Sequence, residues 1–148
     1  MRFALLLCIF LPAFSCVAQS GYNIQFKVSG LKDTTAYLAY FTNESTFIKD
    51  TAKVNGKGEF TFEGSQTLLQ GVYMLVLNRA KQFEFVVGGN QRFTLETNTA
   101  DYIQNMKVSG DKDNTLFFEN IFFNIVKKKH QSFLSSTTGK YLMLNYSL

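Results

Sequence analysis

The sequence predicts a mainly β protein, an antiparallel β-sandwich of about seven to eight strands followed by one C-terminal helix. Between residues 22 and 109, short runs rich in aromatic and β-branched residues alternate with clusters of Gly, Asn, Asp and Ser, as in half-buried strands joined by turns. After residue 110 the period changes and the composition becomes helical. A sheet with one apolar face must bury that face, and a second sheet does so economically for strands of similar length.

The first 18 residues have the layout of a secretory signal peptide. Arg2 is their only charge, an apolar run extends from Phe3 to Phe14, and small residues lead to Ala18. The run is too short to cross a bilayer, which takes about 20 apolar residues. Cleavage after Ala18 would leave a mature chain of residues 19–148, and we expect export to the periplasm or the outer-membrane face.

Cys16 allows a second interpretation, in which the mature chain begins there as a lipoprotein. Phe14 is bulkier than that signal prefers, and membrane attachment is expected only if Cys16 is lipidated. In either case Cys8 and Cys16, the two cysteines of the sequence, leave the folded domain. The β-sandwich domain, residues 19–110, must therefore be held by a packed core and not by disulfides.

The first three strands are predicted over residues 22–28, 35–41 and 46–54. In the first, apolar residues alternate with Asn, Gln and Lys, which gives one buried and one wet face. In the third, the alternation predicts that Phe47, Lys49 and Thr51 face away from Ile48 and Ala52. The turn residues 30–34 separate the first two strands.

The fourth strand, residues 59–63, is predicted as the second arm of a hairpin. The linking segment Asn55–Gly58 begins with Asn-Gly, which tolerates the positive φ angles of a tight hairpin turn. Phe60 and Phe62 should then face the core, while Glu59 and the other polar residues face water.

Three further strands are predicted over residues 71–77, 82–87 and 92–97. Residues 72–77 are apolar at almost every position, so this strand should be central and covered on both faces. Gly88 and Gly89 join the last two strands as turn residues, since the other glycines and the lysine of a phosphate loop are missing.

A linking helix is predicted over residues 111–129. Asp111 or Asp113 can cap its start, and Lys127–Lys129 match the negative end of its dipole. A narrow polar stripe leaves most of the circumference apolar, so the helix needs partners on more than one side. We therefore expect a protein partner to bind through residues 114–126. The polar stripe consists of Glu119, Asn120, Asn124 and Lys127.

Residues 130–148 have no cap, period or turn pattern that assigns them, although residues 140–148 could form a strand. One hypothesis is that this segment is the frameshifted or early end of a longer protein.

No constellation for catalysis is visible. His130 is the single histidine and follows a lysine run, with no nucleophile predicted beside it. Asp111, Asp113 and Thr115 have the spacing of the first calcium-loop ligands, but Phe122 stands where the closing Glu is required. We predict no catalytic, cofactor-binding or metal site and hence a protein that is not an enzyme.

The charge of the mature chain is too mild to indicate a nucleic-acid binder, and no nucleic-acid partner is predicted. Without Arg2, 14 basic residues remain against 11 acidic ones, an excess of only +3. Aromatic residues are abundant, and an exposed loop residue such as Tyr102 would suit a small ligand or a glycan. A small-ligand or glycan-binding β-sandwich is therefore the alternative function.

Three segments together resemble a known family. The segment Asp50–Gly64 resembles a recurrent part of the β-rich amino-terminal domain of exported thioredoxin-like (AhpC/TSA, thiol-disulfide interchange) proteins of Bacteroidetes. Phe26–Gly30 and Val108–Gly110, the latter followed by Asn114 and a helix, are similar to its opening and closing segments. The resemblance covers roughly residues 22–126.

In that family the β-rich domain precedes a thioredoxin fold whose Cys-x-x-Cys exchanges disulfides. This sequence contains no Cys-x-x-Cys, so no catalytic residue is carried over. The resemblance implies a non-catalytic, exported module that acts by positioning, docking or dimerisation.

Overall fold

The computed structural model describes residues 21–42 and 45–145, without the side chains of Lys81 and residues 137–145. It is mainly β, with eight strands and one helix among these residues, as predicted. Seven of the strands match the predicted ones to within two residues at each end. The elements are β1 (Tyr22–Ser29), β2 (Thr35–Thr42), β3 (Ser45–Lys53), β4 (Glu59–Gly64), β5 (Gly71–Leu77), β6 (Ala80–Val87), β7 (Arg92–Asn98), β8 (Lys107–Ser109) and α1 (Lys112–Asn145).

The strands form the predicted sandwich of two sheets. Sheet 1 has the order β4-β1-β7-β8 and sheet 2 the order β3-β2-β5-β6. Neighbouring strands are antiparallel except for β1 and β7, which run parallel. The eighth strand, β8, has only three residues and pairs with β7; a segment so short carries too little alternation to be recognised from sequence.

The core lies between the sheets and is dominated by aromatic rings. Phe26 of β1 is at its centre, with its ring stacked on Phe60 at 4.9 Å and edge-on to Phe62 and Phe85 at 5.6 Å. Phe60 and Phe62 are buried, as the alternation predicted. The alternating burial along β1, from Ile24 to Val28, supports the same assignment.

The segment Asn55–Gly58 does not make the predicted hairpin. The strands that it joins, β3 and β4, belong to different sheets, and β4 pairs with β1. The positive φ is at Gly58, where an added Cβ would collide with the carbonyl of Val28. Asn55 acts instead through its side chain, whose Oδ1 accepts from the backbone N–H groups of Lys57 and Glu59 at 2.9 Å. Asn55 and Gly58 therefore form a turn that leads the chain from one sheet to the other.

A two-residue hairpin lies elsewhere, between β5 and β6. Asn78 and Arg79 both have positive φ, at 50° and 62°, the geometry that fits the twist of paired strands. No Asn-Gly pair marks this turn in the sequence, and β6 begins two residues earlier than predicted.

The predicted faces of β3 are wrong because of a β-bulge. The register shifts between Leu38, which pairs with Asp50, and Ala39, which pairs with Ile48. Lys49 is the extra residue, so side chains on its two sides exchange faces. Ile48 is consequently 63% exposed, whereas Ala52 packs against the core.

Strand β5 is central in sheet 2, as predicted, with β2 and β6 as its neighbours. Its cover is incomplete. Tyr73, Leu75 and Leu77 are buried in the core, and Met74 on the other face is 2% exposed, but Val72 on that face is 48% exposed.

Helix α1 is longer than predicted. It begins at Lys112 and continues past residue 129 to Asn145, so the strand suggested for residues 140–148 is wrong as far as residue 145; the last three residues lie outside the described part. Lys127–Lys129 lie in the middle of the helix and do not match its terminal dipole. Within residues 21–42 and 45–145, no helical segment combines the length and the hydropathy of a membrane span.

A part-buried hydrogen bond connects the two sheets at one end. The Tyr22 hydroxyl on β1 donates to Oδ2 of Asp50 on β3 at 2.8 Å. Burial, and then the hydrogen bond to Asp50, raise the pKa of Tyr22 above its ordinary value; burial also raises the pKa of Tyr73 and Tyr102. The folded state therefore favours the neutral phenol.

We expect Tyr22→Phe to lower the free energy of unfolding by about 1 kcal/mol at neutral pH, because one part-buried hydrogen bond is lost. In the unfolded chain a tyrosine ionises near pH 10. Its folded pKa is raised, so its contribution is present below about pH 10 and is lost as the pH rises through the folded value. The variant should therefore lose less stability than the wild type above pH 10.

Urea unfolding at pH 7 and from about pH 9 to 11 measures both effects. Tyr37→Phe is the matched control, since the half-buried Tyr37 makes no side-chain hydrogen bond within the described residues. An equally steep alkaline loss in wild type and Tyr22→Phe would contradict the assignment.

Candidate interaction surface

Helix α1 is anchored to sheet 2 at its first turn. Oδ2 of Asp111 accepts from the backbone N–H of Asn114 at 2.9 Å and from its side-chain amide at 2.7 Å. The sequence allows either Asp111 or Asp113 as the N-cap, and the structure shows that the N-cap is Asp111. A Cβ on Gly88 would come within 2.6 Å of the Asp113 carboxylate, so that glycine lets the turn after β6 approach the helix.

Asn114 attaches the helix to the edge of β6. Its Oδ1 accepts from the Val86 N–H at 2.8 Å, and its Nδ2 donates to the Val86 carbonyl at 2.7 Å. The side-chain amide therefore pairs with Val86 as the peptide group of a neighbouring strand would. Asn114 is fully buried, and sequence reasoning noted it only through the resemblance.

One stripe of the helix faces the sandwich. Phe118 is 5% exposed and its ring lies edge-on to Phe83 at 6.0 Å. Phe117 and Ile121 are partly buried against the same core. With about 3.6 residues per turn, Asn114, Phe118 and Ile121 lie on one side of the helix.

The opposite side carries large apolar residues with no cover among the described residues. Five of these side chains are between 46 and 65% exposed, which is unusual for a helix because its apolar residues normally face one core. We call this side of α1 the outward face. Its apolar members are Leu116, Phe123, Val126, Phe133 and Leu134; Phe122, one turn after Phe118, instead borders a groove together with Phe118 and Val108.

Polar residues interrupt the outward face without closing it. Glu119 and His130 are exposed there, and the side chains of Asn120 and Asn124 hydrogen-bond to each other at 2.9 Å along one flank. All four residues of the predicted polar stripe are exposed, but Glu119 lies on the outward face and not on the flank with Asn120 and Asn124. Only Phe118 and Asn114 of the expected surface, residues 114–126, are buried in the sandwich.

The residues weighed for catalysis are not assembled into a site. His130 is exposed on α1 and makes no hydrogen bond to another described residue. Asp111 caps the helix, and Phe122 remains an exposed side chain beyond it. Across residues 21–42 and 45–145, no group of three or more His, Cys, Asp or Glu side chains could hold a metal ion. The two cysteines lie outside the described residues.

Tyr102 is not the exposed loop aromatic that the alternative function assumed. Its ring is half-buried against Phe83, with centroids 5.8 Å apart, and its carbonyl accepts from the Thr97 hydroxyl at 2.8 Å. It is part of the packing between the loop and the core.

The outer surface of sheet 1 contains a polar cleft of about 470 Å³. Its lining is made mostly of charged and polar side chains, among them Lys57, Asn98 and Lys107. Lys27 and Glu96 form an exposed ion pair across its floor at 3.2 Å, a contact of small energetic value. The cleft has no aromatic side chain among the described residues that line it.

Comparison with known proteins gives one match. A family model described as a domain of unknown function (DUF4369) matches residues 22–117, which are the sandwich and the first turns of α1. No curated protein matches the chain, and no solved structure does.

Proposed function

The chain belongs to the DUF4369 family of domains of unknown function, and we propose that it is a non-catalytic, exported module that binds a protein partner through the outward face of α1. The observation that carries the proposal is the exposure of five large apolar side chains on that face. Most of them follow residue 117, where the family match ends.

The anchoring of the helix supports this function. Asn114 fixes the first turn to β6 by two hydrogen bonds to Val86, Asp111 holds Asn114 in place by two more, and Phe118 fixes the second turn to the core. A rigidly held helix loses little conformational entropy when a partner binds. An amphipathic helix that offers apolar anchors at intervals of three and four residues is a recurrent mode of protein recognition.

The finer part of the proposal is a helper role beside a thioredoxin-like redox module. It is supported by the resemblance of Asp50–Gly64 to the domains that precede such modules. Disulfide exchange requires a thiolate, and the described residues include no cysteine. The protein would position the redox partner or its substrate and perform no exchange itself.

We expect a photo-crosslinking amino acid at position 123 to form a protein adduct in the cell envelope, because Phe123 is 63% exposed at the middle of the outward face. The same amino acid at position 61, on the polar outer surface of sheet 1, is the control. Adducts are separated by mass. Equal crosslinking at both positions, or none at position 123, contradicts the proposed surface.

The purified protein should also show no turnover in a disulfide-reductase assay, and measurable turnover would contradict the non-catalytic role.

The alternative, a small-ligand-binding sandwich, would have to use the polar cleft instead of Tyr102. A ligand that binds only the native state raises Tm, so a melting screen separates the two functions.

A further inference from the structure

We propose that the outward face of α1 binds the same face of a second copy of this chain, with the two helices antiparallel about a two-fold axis. The inference rests on the proposed function, because it uses the same surface and names its partner. A second copy is the expected partner because the residues along this face are complementary to themselves when two helices run antiparallel.

The outward face contains a continuous seam with steps of alternately three and four residues. This is the spacing by which one helix presents side chains to another helix in a coiled coil. Every member is exposed in the single chain. The seam consists of Leu116, Glu119, Phe123, Val126, His130 and Phe133.

Antiparallel pairing matches every position of the seam. With the axis between Phe123 and Val126, each of these residues lies opposite the other in the second copy. The next layers place Glu119 opposite His130 and Leu116 opposite Phe133. Apolar residues thus meet apolar ones, and the carboxylate of Glu119 meets the imidazole of His130, whose ring N–H can donate a hydrogen bond to it.

A parallel, in-register pair lacks this complementarity. It would place Glu119 opposite Glu119 of the second copy, and like charges at a helix contact are unfavourable. It would also bring the two His130 side chains together. Charge therefore selects the antiparallel orientation.

The position of the seam leaves room for both sandwiches. Phe118 and Ile121 face the body of their own chain, whereas Phe123 points to the other side of the helix. Two helices in contact along the seam therefore hold their sandwiches on opposite sides of the pair. The seam from residue 116 to 133 is about 27 Å long, and because the contact is a single pair of helices we expect weak association, in the micromolar range.

Sedimentation equilibrium over a range of micromolar concentrations tests the proposal. The protein is expressed from the full reading frame, and its mass is determined first. We expect a reversible monomer–dimer equilibrium. Phe123→Asp should weaken it at least about tenfold, because it places a charge in the central layers. Asn124→Asp adds the same charge beside the seam and is the matched control. Both sites are exposed, and circular dichroism verifies folding.

A charge exchange tests the orientation. Glu119→Lys alone sets a lysine opposite His130 and should weaken the dimer, as should His130→Glu, which sets two carboxylates opposite each other. The double variant restores an opposite-charge pair in the antiparallel register and should recover most of the affinity. In a parallel dimer the double variant would bring the two introduced lysines together, and the two introduced glutamates together, without recovery.

Three results would overturn the inference. They are a monomer at every concentration, a dimer that Phe123→Asp leaves intact, or a double variant without recovery. Its failure is distinguishable from failure of the proposed function. A monomeric protein that still crosslinks at position 123 to a chain of another mass has a different partner on the same surface, whereas absence of any adduct at position 123 removes the surface itself.

Discussion

Replacing Phe26 with alanine should lower the free energy of unfolding by about 3–5 kcal/mol, the range for deleting a buried phenylalanine ring. Phe26 is 1% exposed and contacts rings from both sheets: Phe60 and Phe62 of sheet 1, and Phe85 of sheet 2. Close-packed neighbours relax only partly around such a deletion, so a cavity remains between the sheets. Small domains are stable by only about 5–15 kcal/mol, and the loss is a large part of that.

Urea unfolding followed by fluorescence and circular dichroism measures the change. Phe41→Ala is the control, because Phe41 is 54% exposed and its truncation should cost less than about 1 kcal/mol. Phe26→Leu, which keeps most of the volume, gives a measurable folded protein if the alanine variant does not fold. Similar losses at positions 26 and 41 would show that Phe26 is not the centre of the core.

Replacing Asn114 with leucine should lower the free energy of unfolding by about 2–4 kcal/mol, because a buried polar group left unpaired costs about 1–3 kcal/mol and more than one is affected. The side chain keeps its approximate volume, but the N–H and carbonyl of Val86 lose their partners in a part-buried place. A carboxylate oxygen of Asp111 also loses one of its donors.

The effect should be local as well as global. Hydrogen exchange at the Val86 amide should accelerate in Asn114→Leu, because the bond that protects this edge position is gone. Asn124→Leu is the control: Asn124 is exposed and its side chain hydrogen-bonds to Asn120 on the same helix. Unchanged protection of Val86 in Asn114→Leu would contradict the role of Asn114 as an edge partner.

Asn114→Leu also tests whether the attachment of α1 to the sandwich affects binding through the outward face. If Asn114 and Phe118 hold α1 on the sandwich, then loosening the first turn should also weaken binding through Phe123, although Phe123 lies on the opposite side of the helix from both. Surface and anchor are separate sets of side chains on one rigid element.

The candidate surface was partly predictable from sequence. The many apolar residues around a narrow polar stripe predicted a helix that must be covered on two sides. The structure shows that the sandwich covers the side of Phe118 and leaves the outward face exposed. The length of the helix was not predictable by the same pattern, since residues 130–145 lack a cap and a clear period. The sequence pattern therefore predicts a helix that ends before His130 and Phe133, and the seam cannot be recognised from it.

Local chemistry by itself determined the strands, the class of fold and the polarity of most faces, because alternation and turn residues act over a few positions of the chain. Three features become visible only in the folded arrangement of the chain: the Asn55–Gly58 turn connects two sheets, a bulge at Lys49 exposes Ile48, and Asn114 pairs with the edge of β6. Most of these features depend on partners far away along the chain. Their free energy depends on which strands pair, and a local sequence pattern does not specify that pairing.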